Sequence, residues 1–438
     1  MRRYKQLDPY FLILSSFYRR IEVEMAGILE DVAIIGAGVG GAALAIALHQ
    51  RSIPCRIYEA RSEDAQAIGS GVTLGPNGCQ VLDKLGLLKQ VALRCFRSEL
   101  HELKDAEGNT TGNCNPVTEQ LYGYKNHRLY RQALIEEMKV KLKECEVPVE
   151  YNARFQKVVD EADDCVTFLI NGRLERATLL VGSDGINSAV RKHVTSELPE
   201  YMGLASVYGH VLTDRVPWPS KSFNKNATIQ DSPGALFMAP EVPDGSKLMV
   251  GRQFAHPPLD RANWEALAKD KDKLCALICK DYDKWHPLAQ SILDQVEIER
   301  NGLLLWSYHY MPKLARWSSP TGRVIIIGDA AHAIPPSSGQ GVNQAFEDSH
   351  TLAVLLSSLS PKMNLNEAMD FWHGLRQKRI DRIMEMTDAT NRKRLPAGQR
   401  SVCGKTDGDQ DQLLGNPMKW LFVPTTEDDI ATWISSRI

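Results

Sequence analysis

Three glycines, Gly36, Gly38 and Gly41, stand at GxGxxG spacing directly after the apolar run Asp31–Ile35 and before the small-residue run Ala42–Gln50. In such a turn the first glycine permits a tight bend and the second lets the backbone approach a pyrophosphate. The third brings helix and strand together, so that phosphates rest on the free N–H groups of the helix N-terminus. Cys55–Glu59 reads as the following strand, and Glu59, 18 residues after Gly41, sits where an acid can bond a ribose. An acid there suits an adenosine with a free 2′-hydroxyl and disfavours a 2′-phosphate. A ligand-free turn would need only the glycines; strand, helix and acid in register point to a bound dinucleotide.

Two further loops end strand-like runs in the same way. Ala177–Val181 runs into Gly182-Ser183-Asp184-Gly185, followed by Ser188 and Arg191, and Arg323–Ile327 runs into Gly328-Asp329. Behind the second come His332, Pro335-Pro336, Gly339, Gly341, Asn343 and the acid pair Glu347-Asp348. Pro76-Asn77-Gly78 and Leu129-Tyr130-Arg131 complete the set. In kind, spacing and order these motifs resemble the class A flavin monooxygenases, the family of para-hydroxybenzoate and salicylate hydroxylases, over about residues 30–350. Ser338 departs from the glycine that many relatives carry.

The resemblance implies an enzyme that binds FAD and takes a hydride from transiently bound NADPH or NADH. A flavin C4a-hydroperoxide formed with O2 would then hydroxylate or epoxidise a small aromatic substrate, phenolic or indole-like, in secondary metabolism. It implies FAD contacts from Gly36, Gly38, Gly41, Glu59 and Arg131, from Asp184, and from Asp329, Gly339, Gly341 and Asn343. Pro335 and Pro336 would line the flavin face, and His332 reads as structural. Arg191 is the candidate for contacting substrate or hydroperoxide, with a structural ion pair as its alternative. Tyr208, His210 and Arg252 lie on strand-like runs and are the polar candidates for a substrate pocket, although such residues are more often satisfied structural groups.

These residues need an α/β frame. The resemblance implies a Rossmann-like FAD-binding domain of the GR2 type assembled from discontinuous segments, residues 25–100, 125–202 and 315–360. An α+β sheet substrate domain, 101–124 and 203–314, is inserted, and C-terminal helices occupy 361–438. Residues 1–24, ahead of Met25, read as a disordered extension. Helical patterns cover Pro76–Leu87, Arg131–Cys145, about 262–282, and Gln344 to about 390. Asn171-Gly172 between Phe155–Asp160 and Val166–Ile170 on one side and Ala177 on the other is a two-residue hairpin signal.

The 438 residues call for more than one folding unit, and a net charge of −2 gives no electrostatic reason to expect nucleic acid or an anionic membrane as partner. Nine scattered cysteines without a CxxC pair argue against a zinc site and suit a reducing, cytoplasmic setting. The apolar run Tyr10–Leu14 is too short to span a bilayer. Rival outcomes on the same frame are Baeyer–Villiger oxygen insertion, halogenation and prenyl-chain reduction. A flavin-free binding protein of the GDP-dissociation-inhibitor type is a further rival, against which Gly328-Asp329 argues.

Overall fold

The computed structural model describes residues 29–66, 71–114, 117–360, 363–395 and 418–437; the expected extension 1–24 and the polar stretch 396–417 lie outside them. The chain opens with β1 (Val32–Ile35), α1 (Val39–His49) and β2 (Cys55–Glu59), the unit that the glycine spacing requires. Ala, Gly, Leu and Ile fill α1, and it is buried on every side up to Leu48, which lets it lie between a sheet and other helices. β3 (Gly71–Leu74), α2 (Pro76–Lys84), α3 (Leu88–Leu93), β4 (Phe96–Ser98) and the hairpin β5 (His101–Lys104) and β6 (Thr110–Cys114) follow. α4 (Glu119–Tyr122), β7 (Asn126–Tyr130), α5 (Arg131–Glu144) and β8 (Val149–Tyr151) return the chain to the centre. β9 (Phe155–Glu161), β10 (Val166–Ile170) and β11 (Arg173–Ala177) form an antiparallel sheet, with Asn171 and Gly172 both at positive φ in the hairpin turn.

β12 (Leu179–Gly182) and α6 (Arg191–Val194) lead into β13 (Glu200–Leu212), β14 (Ala227–Asp231), β15 (Gly234–Pro240) and β16 (Lys247–Ala255). Helices α7 (Arg261–Lys269), α8 (Lys271–Ile278) and α9 (Pro287–Ile298) come next, then β17 (Leu304–Tyr310) and β18 (Val324–Ile326). The helical pattern near 262–282 is split because the Asp270 carboxylate caps the Lys273 N–H and starts α8 afresh. α9 was not visible in the pattern; Pro287 opens it at a position that needs no N–H donor. The chain ends with α10 (Asp329–His332), α11 (Gly341–Ser358), the long α12 (Leu365–Arg394), α13 (Lys419–Phe422) and α14 (Thr426–Ser435).

The central sheet is parallel throughout, in the order β18-β12-β1-β2-β8. Its three adjacent strands β18, β12 and β1 are those that end in the glycine loops, so Gly36, Gly182 and Gly328 come together at one sheet edge. A second sheet runs β17-β13-β16-β15-β14-β5-β6, so that the early hairpin β5–β6 completes a sheet otherwise built from strands between Glu200 and Tyr310. On its outer face Val207, Val211, Leu248 and Val250 pack against Ile278 of α8 and Ile292 of α9. Side chains alternate along β13, so Ser206, Tyr208 and His210 point the other way, towards the parallel-sheet half.

Glycine is obligatory where α1 leaves the sheet. Gly36 has φ +104°, and a Cβ there would stand 2.5 Å from the Ser183 carbonyl oxygen; a Cβ on Gly41 would overlap the Gly36 carbonyl oxygen. Gly41→Ala therefore forces α1 off β1. The expected cost is about 1–3 kcal/mol or more in urea unfolding, with weakened dinucleotide retention, whereas Gly374→Ala, on α12 with open space at its Cβ, leaves stability unchanged or raised.

Candidate active site

The first part of the site is the crevice above β1 and β2. Glu59, almost fully buried, accepts the Ala37 N–H at 2.8 Å and the Arg61 N–H at 2.9 Å, which fixes its carboxylate at the mouth of the glycine turn. A small hollow there is lined in part by Ala37, Glu59, Arg61, Ser62, Ile135 and Tyr151. The N-terminus of α1 has no side-chain cap and no acid in its first turn, and a Cβ on Gly38 would meet nothing within 4 Å. An open helix end facing empty space is what a pyrophosphate requires. Half-buried Arg131 starts α5 and has no hydrogen-bond or ion-pair partner among the described residues, leaving its charge for the same anion.

The second part is formed by the loops after β12 and β18. Asp329 is exposed at the head of α10, and its carboxylate takes no hydrogen bond from a described residue, so it is free to accept from ribityl or ribose hydroxyls. Buried Pro335 and exposed Pro336 lead into the 3-10 helix Pro336–Ser338, then exposed Gly339 and Gly341, whose Cβ position is open. Together the uncapped helix, the free acid and the open glycines fit a flavin dinucleotide. The Gly339 and Gly341 loop would face the flavin ring, and Asp329 and Glu59 would take its hydroxyls.

Three of the expected site residues have side chains engaged within the protein. Asp184 accepts Ser188 Oγ at 2.5 Å and the Ala189 and Val190 N–H groups at 2.7 and 3.2 Å, so its carboxylate is spent on shaping its own loop. Arg191, 3% exposed, donates to the Ala330 carbonyl at 3.1 Å and the Ile186 carbonyl at 2.7 Å. It is a strut between the two loops and presents nothing to a substrate. Asn343 is fully buried; its amide N–H groups go to the Thr73 and Gly339 carbonyls at 3.0 and 2.8 Å, and its oxygen accepts the Gly75 N–H at 3.0 Å. Its side chain clamps the loops that would face a flavin, which leaves its backbone N–H, in the open first turn of α11, as the donor it could offer.

Beneath these loops lies an ionic cluster of which the sequence shows only half. Asp348 accepts the Gly328 N–H at 2.9 Å, His332 Nε2 at 2.5 Å and Arg376 Nε at 2.7 Å. Glu347 takes Arg376 Nη1 at 2.5 Å, Arg379 Nε at 2.7 Å and Asn77 Nδ2 at 2.7 Å. Burial alone would raise the Asp348 carboxyl, but His332 and Arg376 outweigh it and hold it at about 2; Arg379 and Arg376 likewise keep Glu347 low. His332 is confirmed as structural. Arg376 and Arg379, one helical turn apart, were missed; the signal available was an acid pair in an apolar helix, which needs cations from elsewhere.

The third part is the inner face of the seven-stranded sheet. His210 Nε2 meets Glu241 Oε2 at 2.6 Å, and fully buried Glu241 also takes Arg128 Nη2 at 2.5 Å and the Gly71 N–H at 2.9 Å. Burial pushes the Glu241 carboxyl up, and Arg128 with His210 brings it below its ordinary value. Arg128 Nη1 in turn reaches Thr73 Oγ1 at 2.9 Å. The Tyr130 ring lies 5.4 Å from the His210 ring, and its buried hydroxyl has no partner among the described residues. Tyr208 is buried on the same face as His210. Arg252 is corrected: it lies on the outer face, over Trp285, and donates to the Ile278, Lys280 and Pro233 carbonyls. Among the described residues no group of three or more His, Cys, Asp or Glu is placed to hold a metal, and no helix is long and apolar enough to cross a membrane.

The profile of the family described as FAD binding domain matches residues 30–387. The chain is 27% identical over 337 residues to a 3-amino-4-hydroxybenzoate 2-monooxygenase of Streptomyces cremeus, covering 75% of this chain and 78% of the relative. It is 26% identical over 426 residues to a salicylate hydroxylase of Pseudomonas putida, covering 91% and 94%. A salicylate hydroxylase substrate complex superposes with a TM-score of 0.73 at 18% identity, covering 94% of this chain and 99% of that one. Klebsiella pneumoniae HpxO complexed with FAD and uric acid gives 0.69 at 20% identity, covering 92% and 97%.

The ionic cluster makes two outcomes measurable. Arg376→Met leaves two buried carboxylates short of a cation and is expected to cost about 3–5 kcal/mol in urea unfolding, with loss of bound flavin. Because Asp348 and Glu347 have folded pKa values below their unfolded ones, the stability they carry is complete above about pH 4. The Asp348 share is lost as pH falls towards about 2, and an acid titration of tryptophan fluorescence reads this directly.

Proposed function

The chain belongs to the FAD binding domain family of flavin-dependent monooxygenases, and from that premise we propose that it uses NAD(P)H and O2 to hydroxylate a small phenolic or related aromatic substrate. In this reading segments 25–100, 125–202 and 315–360 hold the cofactor. Segments 101–124 and 203–314 form the wall that holds the substrate, in keeping with the pairing of β5 and β6 into the seven-stranded sheet. Relatives named for hydroxylation of aminohydroxybenzoate and salicylate support the substrate class.

The observation that carries the proposal is an unbroken set of hydrogen bonds joining the two halves. Asn343 ties Gly339 to Thr73, Thr73 Oγ1 accepts from Arg128, Arg128 donates to Glu241, and Glu241 holds His210. His210 is thereby held in register with the loop that would bear the flavin ring. With Nε2–H donating to Glu241, His210 presents Nδ1 as an acceptor on the inner face. A substrate hydroxyl placed there passes its proton to Nδ1, and the resulting imidazolium is stabilised by the Glu241 carboxylate. The electron pair left on oxygen enriches the ring that is to be oxygenated.

Bound FAD would supply the hard chemistry, accepting a hydride from NAD(P)H and activating O2. The remaining tasks fall to the chain. Pro335 and Pro336 wall the site against water, Tyr208 and Tyr130 offer aromatic surface to a planar ring, and Asn343 keeps the Gly339 loop in place.

The test is NADPH oxidation and O2 uptake by the purified flavoprotein across a panel of phenols. Substrate-stimulated turnover with a hydroxylated product supports the proposal, and protein that takes up no FAD overturns it. His210→Asn should leave FAD content unchanged and lower product formation about a hundredfold or more, with NADPH consumption diverted to H2O2. Unchanged coupling in His210→Asn would remove the histidine from the mechanism.

A further inference from the structure

Where α3 and β4 meet the turn between β15 and β16, the molecule has an open hollow of about 540 Å³ that the proposed chemistry does not use. Lys89 and Leu93 of α3, Phe96 and Arg97 of β4, and Pro243 of the turn are among the residues that line it. A Cβ on Gly245 would stand 3.6 Å from the Phe96 ring, so the turn closes directly on β4. β4 pairs with β7 and β7 with β3, and Phe96 stands opposite Arg128 in that ladder. Adjacent strands lie about 4.8 Å apart, so the β4 wall is about 10 Å from Thr73 of β3, whose carbonyl holds Asn343 and the flavin-facing loop.

The lining has two chemical halves. One is apolar: Leu93 is 79% exposed, and Phe96 and Pro243 also meet solvent. The other is cationic. Lys89 and Arg97 are exposed, and neither has a hydrogen-bond or ion-pair partner among the described residues. Arg94 between them is engaged with Glu136 and Glu137, and Asp244 beside Pro243 accepts the N–H and hydroxyl of Ser246. No acid lines the hollow itself. Its size is that of a small-molecule site, and an ammonium and a guanidinium at one mouth suit a phosphate carried by a flat, apolar group.

We propose that this hollow binds the 2′-phosphoadenosine end of NADPH, with Arg97 and Lys89 holding the phosphate, and that NADPH is therefore the hydride donor preferred to NADH. This rests on the monooxygenase reading above and says which co-substrate it takes. The two nucleotide sites differ in sign. At the glycine turn the Glu59 carboxylate stands where a ribose would lie and repels a 2′-phosphate, so that crevice suits a free 2′-hydroxyl. At the α3–β4 hollow the charge is positive, and a ligand without the extra phosphate leaves both cations unmatched. The adenine rests on Phe96 and Leu93, and the remainder of the extended dinucleotide covers the distance of about 10 Å to the flavin-facing loop.

The experiment titrates the FAD-loaded enzyme calorimetrically with adenosine 2′-phosphate and with adenosine, neither of which can donate a hydride. Wild type should bind the phosphate about tenfold tighter or more. Arg97→Ala and Lys89→Ala, both at exposed positions, should each remove most of that preference and raise KM for NADPH about tenfold, with kcat, KM for NADH, flavin content and thermal midpoint unchanged. Arg261→Ala, an exposed cation on α7, should leave every value where it was. Equal affinity for the two nucleosides in wild type, a preference for NADH, a preference that survives both hollow variants, or an equal loss in Arg261→Ala overturns the inference. A protein that takes up no FAD on reconstitution overturns the monooxygenase reading instead, so the two failures are separable.

Discussion

The Glu347–Asp348 pair is the constraint on which the rest of the molecule depends. Two adjacent carboxylates lie at 2% and 0% exposure in α11, and ions removed from water cost several kcal/mol each unless they are met by charge and hydrogen bonds. Here each carboxylate meets those needs with groups from different segments. Asp348 holds the Gly328 N–H and His332, and so fixes the turn after β18. Glu347 holds Asn77 at the head of α2, and Arg379 continues from it to the Trp420 and Leu421 carbonyls of α13. Arg376, with no exposed surface, lies between the two acids and also bonds Gln344. The flavin-facing loop, the Pro76 helix and the C-terminal helices are therefore positioned by one desolvated cluster, and none can shift without exposing a charge to an apolar interior.

Arginine recurs as the means by which loops are held. Arg191 joins the loop after β12 to that after β18, Arg252 fastens α8 to the outer face of the sheet, and Arg376 closes the acid pair. A guanidinium has five donors in a rigid plane and stays charged when buried, so it can satisfy several carbonyls where a lysine would satisfy fewer. Burial lowers the affinity of Arg191 and Arg252 for their protons, yet both remain inside because carbonyl oxygens surround them. In this fold a conspicuous arginine near a glycine loop is more informative about loop geometry than about substrate.

This explains what could be read from the sequence. Gly36, Gly38, Gly41 and Glu59 lie within one βαβ unit, so spacing alone places them, and the order of the three glycine loops gave the parallel sheet on which they converge. The antiparallel β9–β11 sheet was readable from Asn171-Gly172, because a two-residue turn of that kind admits few other conformations. Arg376 was not readable: it stands 28 residues from Asp348, at an unremarkable position in a helix, and only the packing of α12 brings it in. Asp184, Arg191 and Asn343 were recognisable as motif residues but not as the groups that brace the loops, since a motif does not show where its donors and acceptors are spent.

A division of labour follows for the two halves. The cofactor side is closed and over-determined: Asn343 alone joins Thr73, Gly75 and Gly339, and the acids beneath leave no freedom at Gly328. The sheet side is less tied: the buried Tyr130 hydroxyl beside His210 has no partner among the described residues. Oxygen transfer needs the first kind of order, because the reacting atom must meet a ring at a fixed distance. Recognition needs the second, because an atom already bonded within the protein has nothing to offer a ligand. The Thr73–Arg128–Glu241–His210 chain is where the two meet, and it passes the fixed geometry of the loop to His210 on the inner face of the sheet.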